Sequence, residues 1–360
     1  MSEASSYVRL PVLLLGMISL LAGVTGGLAR LGFELPLFLV AQAGGHGALM
    51  IPAFFGTVIS LERAVALGRG WAYLAPVCAG LGGLALVSGI PLVVAQGLLI
   101  AAAAVLIAAS AAVLRRQVAL FTIVLAVGAL CWLVGGIAWL VDGSLHPAVP
   151  WWLSFLVITI AGERLELTRF LPVRPAAPPL FVAAVGIILL GACLNLWRAD
   201  AGQIIFSAGL VALAAWLLRY DIARRNARQT GLARFIAICL LSGYAWLAAG
   251  GLLGVAGAFD PGHAWRDAAL HAITLGFVFS MVFGHAPIVF PAVARVRLPY
   301  HPVFYAPLAV LHGSLAARVA GGLGESAFWR EQGALANAVG LLLFIVTMAA
   351  AVFRGRAQRA

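Results

Sequence analysis

The chain has 360 residues, of which 63% are hydrophobic and only 10% charged, and its mean hydropathy is +1.06. Soluble domains carry about a quarter charged residues, so this composition excludes a water-soluble globule and points to a polytopic membrane protein. The formal charge of +11 comes from arginine without any lysine, and the arginines stand in short turns between apolar runs, which is a topology signal rather than a nucleic-acid surface.

In chain order, the first residues, MSEASSYVR, are too short and too poorly basic for a secretory leader, and the apolar run after them reads as a retained first span. Runs of about 20 apolar residues are needed to cross roughly 30 Å of hydrocarbon. Twelve such runs are expected, near 8–29, 42–67, 72–90, 92–114, 119–141, 149–168, 178–197, 201–220, 233–257, 266–291, 300–320 and 333–353. The expected fold is therefore an all-α membrane protein, one polytopic transmembrane domain over 1–360 with twelve transmembrane helices. Cys78, Cys131, Cys193 and Cys239 fall in separate spans without CxxC spacing and read as packing residues.

Arginine placement orients these spans, because cytoplasmic loops are rich in basic residues. Of the 23 arginines, only Arg30, Arg198, Arg266, Arg318 and Arg330 fall outside the termini and the even-numbered turns. Both termini, including Arg9 and Arg359, are therefore expected in the cytoplasm, with the protein in a bacterial inner membrane. Asp142, Asp200, Asp260, Asp267, Glu325 and Glu331 gather on the opposite side. Trp139, Trp151, Trp152, Trp197, Trp265 and Trp329 lie there too, as an expected outer aromatic belt. The end of span 2, TVISLERAVAL, echoes the end of span 6, ITIAGERLELT. Spans 2, 6 and 10 are four apart, which suggests a three-fold pseudo-repeat of four-helix units. The pairs Glu62-Arg63 and Glu163-Arg164 read as helix-end anchors with arginine in the inner headgroup layer, a quinol or proton-uptake role being the sharper alternative.

Ionisable residues inside spans are costly and mark functional sites, and this sets the histidines apart. His46 lies in the first turns of span 2, His271 roughly 8 Å into span 10, and His312 roughly 18 Å up span 11. These three are expected at one level in the outer half. His285, 14 residues beyond His271, lies roughly 21 Å deeper and reads as a structural or proton-handling residue, or as a further metal ligand. Imidazole is an axial ligand for haem iron and also suits copper, so His46, His271 and His312 are candidate cofactor and metal residues. Met50, four residues after His46, is a candidate soft ligand whose plainer role is core packing. Gly44, Gly45, Gly47 and Gly276 are expected to leave room for a flat macrocycle. His146, His263 and His301 lie in or beside turns and read as solvated.

HAITLG at 271–276, with Arg266 before it, resembles the tenth span of NnrS-type proteins, and His46-Gly-Ala-Leu-Met50 followed by Phe54-Phe55-Gly56 resembles their second span. The second-span segment and the twelve-span plan are also distantly similar to haem-copper oxidase subunit I. The likeness implies a haem- and copper-containing inner-membrane protein linked to nitric oxide tolerance or denitrification, with nitric oxide as a small ligand and a redox protein or quinol as partner. It departs from the oxidases in having no histidine on spans 6 and 7 and no His-x-His on span 10. It departs from NnrS after span 10, where FPAVARVRLPYHP replaces the expected Gly-His and Thr-Gly. Two rivals stay open: a secondary transporter with a mid-membrane site between broken helices, and a non-catalytic membrane subunit of a redox complex.

Overall fold

The computed structural model describes residues 6–36, 43–172 and 174–357. The first five residues, the expected start of span 2 at 42 and Arg359 lie outside the described residues. Twelve helices are long and apolar enough to cross a membrane, and no strand occurs among the described residues. They are α1 (Ser6–Arg30), α2 (His46–Leu67), α3 (Gly70–Val87), α4 (Leu92–Leu114), α5 (Leu120–Asp142), α6 (Val149–Leu167), α7 (Ala177–Leu194), α8 (Ala199–Tyr220), α9 (Gly231–Val255), α10 (Arg266–Ala294), α11 (Tyr305–Leu323) and α12 (Ala327–Ala357). Large apolar side chains such as Leu14, Val93, Leu190, Leu252 and Leu342 are exposed, as lipid-facing residues of a membrane protein are.

The chain forms two compact units. Unit 1 holds Met1–Gly162 with Val293–Arg295, and unit 2 holds Glu163–Ala292 with Val296–Ala360. In unit 1, α1 packs on α2 and α3, α3 on α4, and α4 on α5. Helices α5 and α6 meet where Trp132 stacks on Phe155 at 5.1 Å between ring centroids and Trp139 sets its edge against Trp152. In unit 2, successive helices from α7 to α10 pack in order, and α11 packs on α10 and α12.

Two helices depart from α geometry. Leu49–Phe55 of α2 and Ala272–Phe279 of α10 are π-helical, with one more residue per hydrogen-bonded ring. In α2 the cause stands in the sequence: Pro52 has no N–H and crowds the preceding turn, and the wider ring accommodates it. In α10 no proline occupies the π stretch, and Gly276 sits in its middle, where an added Cβ would run into Trp246. Pro287 and Pro291 sit inside a continuous α-helix.

Four expectations change. Trp139, Trp151 and Trp152 are buried core residues rather than belt residues, while Trp197 and Trp329 are exposed. Arg164 is also buried rather than placed among headgroups. Helix α11 begins at Tyr305, later than expected, which shortens the climb to His312. Gly276 makes room for an indole, not for a macrocycle.

Candidate functional site

His46 is the first residue of α2. Its Nδ1 lies 2.6 Å from the carbonyl oxygen of Gly23 on α1, so the ring donates there and its Nε2 carries the lone pair. A Cβ on Gly27 would stand 2.9 Å from His46 Cε1, and one on Gly23 would stand 2.6 Å from Met50 Sδ. Two glycines one turn apart on α1 therefore form the bed on which His46 and Met50 lie. The glycines around His46 itself form no such bed: Gly44 has nothing within 4 Å and Gly47 only Leu145 at 3.7 Å.

His271 is held in a different way. Its Nδ1 is 2.8 Å from the carbonyl oxygen of Asp267 and 3.1 Å from Asp267 Oδ1. Arg318 of α11 in turn donates from Nε to Asp267 Oδ2 at 2.8 Å and from Nη2 to Oδ1 at 2.7 Å. The imidazole, carboxylate and guanidinium thus form a row of three. A carboxylate or carbonyl behind Nδ1 is the arrangement that orients metal-ligating histidines. The i, i+4 spacing of Asp267 and His271 was a legible signal for this contact, whereas Arg318 carries no such mark.

His312 sits elsewhere. Trp246 Nε1–H donates to its Nδ1 at 2.9 Å, and its Nε2 meets Ser242 Oγ at 2.9 Å and Ser280 Oγ at 3.4 Å. Both ring nitrogens are engaged, so the residue acts here as a hydrogen-bonding link among α9, α10 and α11. Ser280 is nine residues beyond His271 on α10, so His312 lies about 13 Å deeper than His271. The expected common level of the two is corrected: the level of His271 on α11 belongs to Arg318.

His285 donates from Nδ1 to the carbonyl oxygen of Met281 at 2.7 Å, and its buried Nε2 has no hydrogen-bond partner. It shares its surroundings with Arg164 rather than with His271. Among the described residues, no three His, Cys, Asp or Glu side chains gather as a metal cluster requires. His46 belongs to unit 1, and His271, His285 and His312 to unit 2.

Residues 9–353, nearly the whole chain, match one family model, described as a domain of unknown function (DUF8744). No curated protein matches the chain.

Proposed function

The chain belongs to the DUF8744 family, and we propose that it is a haem-binding, multi-pass inner-membrane protein that handles electrons or nitric oxide through histidines of α2 and α10. One observation carries this reading. His46 and His271 each set Nδ1 against an oxygen acceptor, the arrangement that orients ligating imidazoles, and each stands at the entrance to a π-helical stretch. Such stretches are rare and collect at functional sites.

The donor set fits haem, whose iron takes neutral imidazole as an axial ligand. His46, with Met50 beside it, and His271 are each a candidate ligand. When bound, haem would supply a redox-active iron, able to exchange an electron or to take nitric oxide. The chain's own residues do the rest: the Gly23 carbonyl and the Asp267–Arg318 pair fix the two rings, and the apolar helices exclude water. Copper, the second metal implied by the NnrS resemblance, would draw on the same imidazoles. The arginine distribution supports cytoplasmic termini, which sets both histidines toward the periplasmic ends of their helices.

The test is a reduced-minus-oxidised optical spectrum of purified wild type, His46→Ala and His271→Ala after haem-supplemented expression. Haem bands in wild type, diminished in either variant, are expected. A wild type without haem bands removes the reading. A secondary transporter is the second reading, favoured by the π widening around Pro52 in α2. Substrate flux in proteoliposomes of colourless protein would establish it instead.

A further inference from the structure

Within unit 2, four buried polar atoms from four segments have no hydrogen-bond partner: Arg164 Nε on α6, Asp221 Oδ2 just after α8, Tyr244 Oη on α9 and His285 Nε2 on α10. Arg164, Asp221 and Tyr244 are 5%, 4% and 0% exposed. They converge, since the Arg164 guanidinium lies close enough to act electrostatically on Asp221, Tyr244 and His285 alike. The Tyr244 hydroxyl lies near both Asp221 and Arg164 yet makes no hydrogen bond of normal geometry with either. One such orphaned group costs about 1–3 kcal/mol, so four together call for an occupant.

The chemistry of the atoms selects it. Arg164 Nε–H donates, Asp221 Oδ2 and the lone pair of His285 Nε2 accept, and the Tyr244 hydroxyl does both. An anion supplies acceptors only and would leave Asp221 and His285 unmatched, while a metal cation would face the guanidinium. Water supplies two donors and two acceptors and matches the whole set.

We propose that Arg164, Asp221, Tyr244 and His285 enclose a hydrated proton-exchange site, in which bound water bridges the four atoms and the Asp221 carboxyl takes up and releases a proton. The exchange makes and breaks only O–H bonds: Asp221 Oδ2 gains a proton from the bound water, which regains one from bulk water at the arginine-rich face. Asp221 suits the role because its other oxygen is already engaged, accepting from Ala223 N–H at 2.6 Å in a turn that closes α8. Burial pushes this carboxyl above its ordinary range, against the pull of Arg164, the Ala223 N–H and Tyr244. The groups facing it are Arg164 from α6 and Tyr244 from α9, with His285 of α10 on the same guanidinium.

A raised folded-state value means that stability is fully present below the ordinary aspartate range and is lost as pH rises through the raised value. Wild type should therefore lose thermal stability relative to Asp221→Asn as pH rises from about 4 to neutrality, the asparagine retaining the oxygen that accepts from Ala223.

Two further readouts on full-length protein in nanodiscs complete the test. Radiolytic hydroxyl-radical footprinting should modify Tyr244 several-fold faster than Phe277, which is equally buried at 0% but apolar. Infrared difference spectra across a pH jump should show a carboxylic C=O band that is absent in Asp221→Asn and displaced in Tyr244→Phe. The Tyr244→Phe variant keeps the test open if Asp221→Asn does not fold. A silent Tyr244, or an infrared titration unchanged in both variants, overturns the proposal.

Discussion

Arg318 carries its charge into unit 2 with a side chain only 8% exposed, and its two hydrogen bonds to Asp267 are what make this tolerable. Removing one partner of such a pair leaves an uncompensated charge, at about 3–5 kcal/mol. Arg318→Met, which keeps the stem and drops the charge, should cost about 3 kcal/mol, toward the lower end because the Asp267 side chain is 24% exposed. The double variant with Asp267→Asn should recover part of the loss in detergent melts, and an Arg318→Met melt equal to wild type would remove the argument. In sequence, Asp267 reads as one more outer acidic residue and Arg318 as an arginine on the wrong side. Each is explained by the other, but only a fold places them together. The same holds for Trp246 and His312, whose contact joins positions 66 residues apart.

At the scale of the element, helix identity and span number are legible because lipid imposes them: a helix needs about 20 apolar residues to cross, and the twelve runs are plain in the sequence. The contacts between spans are less legible, since small residues serve both close packing and mere composition. Gly186 and Gly191 of α7 show the difference. A Cβ on Gly186 meets nothing within 4 Å, whereas one on Gly191 collides with the backbone of Phe206 on α8. Gly186→Ala should thus stabilise by up to about 1 kcal/mol through helix propensity. Gly191→Ala should destabilise by about 1–3 kcal/mol through overpacking. Thermal unfolding of the two variants decides, and equal effects would mean that α7 and α8 do not touch at Gly191. The π stretches escaped the sequence reading because Pro52 announces a disturbance without its form, and the stretch in α10 has no proline at all.

For the whole molecule, the arginine asymmetry makes a prediction that the helices alone do not. In a cysteine-free background, Trp197→Cys in the turn between α7 and α8 should react with an impermeant thiol reagent on intact cells. Arg228→Cys, between α8 and α9, should react only after the membrane is opened. The reverse pattern would invert the topology and move His46 and His271 to the other face.

The two histidines also become ready at different moments of synthesis. His46 is oriented by a carbonyl on the helix before its own, so its geometry is set once the first hairpin of spans has entered the membrane. His271 leans on Asp267, whose partner Arg318 is translated 51 residues later. Its ring is therefore steadied only after the eleventh span has docked. A group held by His271 would thus be loaded late, into a chain whose insertion is nearly complete.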